Sequence, residues 1–156
     1  MTRNLLILLA SAGSAALLIG AFIFQYGFSM APCHLCILQR WPHAAAVVLG
    51  GLAIALGTRI LPVLGFVAAM TTAGIGLYHT AVERHWVEGP TSCTSGDIGS
   101  LSPEEMRKRL EGSPLVQCDA VAWEMFGLSM ASWNALISLG LAGLWLAAAM
   151  RPARRD

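Results

Sequence analysis

The stretch PCHLCILQRWP, residues 32–42, sets Cys33 and Cys36 a CxxC apart and places Arg40 four residues after the second. Such a pair can hold a metal, staple a loop or carry electrons. A structural zinc centre takes four ligands, commonly as two close pairs of Cys or His. The other cysteines, Cys93 and Cys118, have 24 residues between them, and His34 would have to turn against its neighbours to join, so no metal is expected. As a staple, a disulfide across two intervening residues closes almost no loop and gains little. The spacing suits reversible dithiol–disulfide chemistry, because one thiol can resolve a mixed disulfide held on the other. A helix starting just after Cys36 would turn its amino-terminal dipole toward the sulfur. Arg40, about a turn further on, would favour a thiolate or a negatively charged reduced acceptor. Arg40 as a plain headgroup anchor is the simpler alternative.

The elements that must position these residues read as membrane helices. Hydrophobic residues make up 56% of the 156-residue chain and charged ones 12%, half the share of about 25% usual in soluble chains. Four apolar stretches are long enough to consider as spans: 5–24, 38–57, 60–82 and 131–150. The expected fold is therefore an all-α membrane protein, a four-transmembrane-helix bundle in a single membrane domain over 1–156. The first stretch, LLILLASAGSAALLIGAFIF, exceeds the core of a cleaved signal peptide, and Pro32 follows the only candidate cleavage site, so it reads as a retained helix. Ala12, Ala16 and Gly20 form a stripe of small residues on which a neighbouring helix could pack, and Gly50, Gly51, Gly57, Gly74 and Gly76 could serve similarly. Trp41, Trp86, Trp123 and Trp133 fall near the helix ends, where indole rings anchor at headgroup depth.

Arg3, Arg59, Arg151, Arg154 and Arg155 flank one side of this bundle, and eight of the nine acidic residues fall in the 83–130 connection on the other. The positive-inside rule then puts both termini in the cytoplasm and the loops 25–37 and 83–130 outside. All four cysteines lie in those outer loops, as expected of an oxidising compartment. Four cysteines allow three connectivities; CxxC favours a local 33–36 pair, with 93–118 as the other. Within the long loop, 88–100 is rich in Gly, Ser and Thr and reads as coil. Ser102, Pro103 and Glu105 carry a capping-box signature for a short amphipathic helix over 101–111 on the membrane surface. A dithiol at the lipid surface needs an acceptor for two electrons. The sequence holds neither a haem motif nor iron–sulfur spacing, which leaves a membrane quinone. The net charge of +1 gives no reason to expect nucleic acid as a partner.

PCHLCILQRWP resembles the first outer-loop motif of the bacterial disulfide bond formation protein B (DsbB) family, which runs roughly P-C-x-L-C-x-x-Q-R. YHT at 78–80 and CDAVAWEMFGLSMASWNAL at 118–136 extend the resemblance over essentially the whole chain. The segment between Cys93 and Cys118 is least alike. The resemblance implies an inner-membrane thiol–quinone oxidoreductase with its active cysteines on the periplasmic side. The thiolate of a reduced periplasmic thioredoxin-fold oxidase of the DsbA type would attack Cys93, releasing Cys118. Electrons would pass to the 33–36 pair, with Cys33 exchanging with the loop cysteines. Cys36 would face the quinone and form the thiolate–quinone complex, with Arg40 beside the ring and His79 in contact with a quinone oxygen. Ubiquinone is expected ahead of menaquinone.

Three rivals are weighed against this reading. A vitamin K epoxide reductase-like enzyme carries its quinone-proximal CxxC late in the chain, whereas here it follows the first helix. A reductant sending electrons outward would need a cysteine on the cytoplasmic side. A disulfide-stapled membrane scaffold without turnover leaves the CxxC spacing unexplained, although a 93–118 disulfide could stabilise the loop by about 3 kcal/mol.

Overall fold

A computed structural model of the chain describes residues 1–90, 102–104, 107 and 117–152. Thr2 caps the first helix, α1 (Arg3–Phe22), its hydroxyl accepting the Leu5 N–H at 3.3 Å. A single π-helical turn, Ile23–Gly27, prolongs it. Helix α2 (His34–Leu56) ends on Gly57, whose φ of +66° supplies the left-handed C-cap that glycine tolerates without a Cβ clash. Helix α3 spans Ile60–Glu83. After the long connection, strands β1 (Glu124–Met125) and β2 (Leu128–Ser129) pair antiparallel and lead into α4 (Met130–Ala149), capped by Ser129.

The helical reading of the sequence holds, with three corrections. Helix α2 begins at His34 rather than near 38, because the Cys33 sulfur accepts the Cys36 N–H and caps it there. The first outer loop is correspondingly shorter than 25–37, and Pro42 lies inside the helix. Secondly, the 83–130 connection contains a hairpin. Its turn uses Phe126 at φ +54° and Gly127 at φ +76°, the paired positive angles of a two-residue hairpin turn. Thirdly, the stripe of Ala12, Ala16 and Gly20 is not the packing face of α1. Ala12 and Ala16 are exposed, and Ile7, Ala10, Ser11 and Ser14 turn inward instead. Most of the expected 101–111 helix lies outside the described residues.

Helices α1 and α3 each pack on both α2 and α4, giving a four-membered ring. Arg3 donates to the Thr58 carbonyl and Arg151 to the Met1 carbonyl. These contacts gather the amino terminus, the α2–α3 turn and the end of α4 at one end, with the cysteines at the other. Among the described residues, three helical stretches are long and apolar enough to cross a membrane: Arg3–Gly27, Ile60–Glu83 and Met130–Ala149. Helix α2 has 23 residues but carries Gln39, Arg40 and His43 near its start. Leu8, Ile19, Val48, Val67 and Leu77 are exposed around the bundle, more apolar surface than a soluble monomer leaves open. The protein is a helical, multi-pass membrane protein.

Small residues set the inner packing. Trp145 is fully buried among Ile7, Ala10, Ala53, Ala69 and Ala148. A Cβ at Gly65 would lie 2.5 Å from its ring, and one at Gly50 would lie 2.5 Å from Ser11 Cβ. Gly51 and Gly74 face open space. Gly65→Ala should therefore destabilise the detergent-solubilised protein by about 1–3 kcal/mol through overpacking. Gly51→Ala should be neutral or gain up to about 1 kcal/mol from helix propensity. Thermal unfolding of both variants beside the wild type checks the pair.

Candidate active site

Cys33 and Cys36 lie at the amino end of α2, where the cap requires their proximity. Both are free thiols, and the Cys33 Sγ–H donates to Cys36 Sγ at 2.8 Å. In return Cys33 Sγ accepts the Cys36 N–H at 3.2 Å. That hydrogen bond to Cys36, followed by burial, pushes the Cys33 thiol far above its ordinary range. The two sulfurs therefore differ: Cys33 holds its proton, and Cys36 accepts it as a hydrogen bond at a helix amino terminus, where negative charge is favoured.

Behind Cys33 stands His79 of α3, its Nε2 3.6 Å from the Cys33 sulfur. Cys118 is buried and disulfide-bonded. Its sulfur, the Cys33 sulfur and a His79 ring nitrogen all lie within 4.8 Å of one another. Such a cluster could hold a soft metal ion, but a disulfide sulfur is not a thiolate ligand, which leaves it suited to thiol–disulfide exchange. Cys93 lies outside the described residues.

A buried polar network fixes the His79 ring. Gln39 Nε2 donates to the Leu35 carbonyl at 3.1 Å, which orients the amide. The same nitrogen meets His79 Nδ1 at 3.0 Å, so Nδ1 accepts and Nε2 carries the proton facing Cys33. Asn134 Nδ2 donates to Gln39 Oε1 at 2.6 Å and to Thr72 Oγ1 at 3.2 Å, and Asn134 Oδ1 accepts from His43 Nε2 at 2.9 Å. Asn134 thus belongs to a network joining α2, α3 and α4. Beyond His79, Glu83 Oε1 is 3.8 Å from Nε2, and Ser129 donates to the other carboxylate oxygen.

Cys36 also faces a cavity of about 490 Å³ between α1, α2, the hairpin and the start of α4. Its wall is mainly apolar, with Leu17, Phe24, Trp123 and Ile137 prominent, and Gln39, Arg40, His43 and Asn134 are its polar members. Ala16 and Gly20 line it too, so small residues misread as a packing stripe instead leave room there. Arg40 is held from α1: Nη1 donates to Gln25 Oε1 at 2.5 Å, Nη2 reaches the Ala21 carbonyl at 3.5 Å, and its guanidinium carbon is 5.1 Å from the Phe22 ring centre. Arg40 Nε is buried without a partner among the described residues. Cys36 and Arg40 thus share the cavity wall. His79 does not line it; the ring faces Cys33. Sequence reasoning missed Glu83 and the role of His43, since neither stands in a motif.

This fold and site define a class: a helical membrane protein holding a dithiol between a disulfide-bonded cysteine and an apolar cavity. The model of the family described as "Disulfide bond formation protein DsbB" matches residues 3–148, and the chain belongs to that family. It is 34% identical to the disulfide bond formation protein B of Xanthomonas oryzae pv. oryzae strain MAFF 311018, across 96% of this chain and 91% of that one. It is 29% identical to that of Acidovorax sp. strain JS42, across 97% and 90%. An uncharacterized Rickettsia prowazekii protein, RP370, is 25% identical across 78% and 73%. No solved structure matches the chain.

The asymmetry of the pair predicts the order of labelling. Cys33 is 5% exposed, whereas Cys36 opens on the cavity. A small apolar alkylating reagent should modify Cys36 well before Cys33, as peptide mass mapping over a time course would show. Asn134→Leu leaves Gln39 Oε1 unpaired and His43 Nε2 with the Ser138 hydroxyl alone, at 3.5 Å, and should cost about 1–3 kcal/mol of stability, measurable by unfolding in detergent.

Proposed function

We propose that the chain is a quinone-dependent protein dithiol oxidoreductase that reoxidises a periplasmic thioredoxin-fold thiol oxidase of the DsbA type. In this reading all four helices span the bacterial inner membrane, both termini are cytoplasmic and the cysteine end faces the periplasm. The observation that carries it is the position of Cys36, bonded through its sulfur to Cys33 and opening on an apolar cavity that has Arg40 on its wall.

A partner thiolate attacks Cys93 of the 93–118 pair, and the partner's second thiol resolves the mixed disulfide. The partner leaves oxidised, and the loop pair holds two thiols. Exchange at Cys33, whose sulfur lies within 4.8 Å of that of Cys118, passes the electrons to the 33–36 pair. A quinone, ubiquinone ahead of menaquinone, supplies a ring that accepts two electrons and two protons. The cavity fits that role: its volume lies within the range of about 300–1,000 Å³ typical of small-molecule sites. The buried Arg40 Nε–H is a donor without an acceptor among the described residues. Arg40 stabilises negative charge arising beside Cys36, as preorganised donors do. His79, facing Cys33, serves the sulfur rather than the ring.

Anaerobic assay of the purified protein with a reduced DsbA-type partner tests the relay. One quinone should be reduced per partner disulfide formed. Cys36→Ser should abolish the reaction, and Arg40→Met should lower kcat/KM by about 10²-fold. Absence of quinone consumption by folded protein, with ubiquinone and menaquinone analogues both tried, would leave a stapled scaffold as the better account.

A further inference from the structure

His79 stands beside both sulfurs that must meet for electrons to pass from the loop pair to the dithiol. Its Nδ1 accepts the Gln39 amide at 3.0 Å, so the single ring proton is on Nε2, which keeps no lone pair. The ring also hydrogen-bonds the Cys118 main chain. With Nδ1 engaged, Nε2–H is the donor in that bond and the Cys118 carbonyl the acceptor. The same nitrogen lies 3.6 Å from the Cys33 sulfur. Gln39 is oriented in turn by the Leu35 carbonyl, in the turn of α2 that carries Cys36. These bonds start and end at the dithiol: α2 sets the amide, the amide sets the ring, and the ring holds the main chain of Cys118 against Cys33.

We propose that His79 is a positioning residue for disulfide exchange: its Nε2–H holds the Cys118 carbonyl so that the Cys118 sulfur stays beside Cys33, and Gln39 fixes the tautomer this requires. This role rests on the relay reading for the order of exchange. In that order the Cys118 thiolate attacks the Cys33 sulfur of an oxidised 33–36 pair. A bond forms between Cys33 and Cys118, the Cys33–Cys36 bond breaks, and Cys36 leaves with the electron pair as a thiolate. The Cys93 thiolate then attacks Cys118, which closes 93–118 and releases Cys33. The two protons of the loop thiols go to water, and Cys33 takes one back. His79 neither gains nor loses a proton in either step. What the exchange demands is contact between sulfurs of separate segments, where a misplacement of about 1 Å can cost about 10²-fold. Packing of Cys118 against Leu35 and Val82 has no direction, whereas a hydrogen bond to its carbonyl does.

Positioning can be read with neither partner nor quinone present. In a Cys36→Ser, Cys93→Ser background the remaining thiols are Cys33 and Cys118. The extent to which they form a disulfide in a glutathione buffer, in detergent, gives their effective concentration. Asparagine at 79 can still accept the Gln39 amide but is too short to reach the Cys118 carbonyl, whereas glutamine brings an N–H to about the place of Nε2. His79→Asn should therefore lower the effective concentration about 10- to 100-fold, and His79→Gln should keep it within about threefold of the protein with His79. A residue that merely supports the fold would move the value alike in both variants or in neither, and either result in folded protein overturns the proposal. Should His79→Asn fail to fold, His79→Phe, which keeps a ring without a donor, takes its place with the same outcomes. Quinone reduction by the wild type with all four cysteines is measured separately. Its absence sinks the quinone reading, while the contrast between the two variants still upholds the positioning role.

Discussion

The amide of Gln39 is the joint on which the outer half of the bundle turns. One side chain bonds the Leu35 carbonyl of its own helix, His79 of α3 and Asn134 of α4. Water cannot replace a lost partner in this setting, so each bond constrains the next. The Leu35 carbonyl accepts only, which sends the amide nitrogen toward His79 and the amide oxygen toward Asn134. From this follow the His79 tautomer, the orientation of Asn134 and the proton on His43 Nε2. One main-chain carbonyl thereby sets the direction of donors both at the sulfur and along the cavity wall.

The two ends of the bundle answer to different physics. At the end holding the termini, Trp145 and its alanine and glycine neighbours fit by shape alone, with no polar pairing in the cluster. Toward the cysteines the helices are joined by serine, threonine, asparagine, glutamine and histidine, whose bonds have direction. Dispersion tolerates small sliding between apolar surfaces, but a directed network tolerates little. The dithiol therefore rests on the more exacting half.

Much of this was legible in the residues. Apolar stretches of span length gave the helices, and PCHLCILQRWP gave the sulfurs and the arginine that do share a site. Helix starts were harder: a cysteine is not a usual cap, so α2 was placed four residues late, near 38 instead of 34. The hairpin was obscured because its strands are two residues each, too short for alternation to register, and only Phe126-Gly127 marks the turn. Ala12, Ala16 and Gly20 mislead because small size serves a void as well as a contact, and spacing cannot tell them apart. Glu83 and His43 gain meaning only from what other helices bring beside them, which no local pattern encodes.

The π-helical turn at the end of α1 has a consequence for how this site can diverge. Such a turn accommodates one residue more than the α-helical path, and each residue of an α-helix advances about 100° around the axis. The portion before Ile23 keeps the phase that packs Ile7, Ala10 and Ser14, while Gln25 beyond it comes round to meet the Arg40 guanidinium. Helix α1 is in effect a rod with a vernier near its tip. A single-residue insertion or deletion there can re-aim the residues over the cavity without disturbing the rod below, so this wall can drift in sequence register while the remaining helices stay locked.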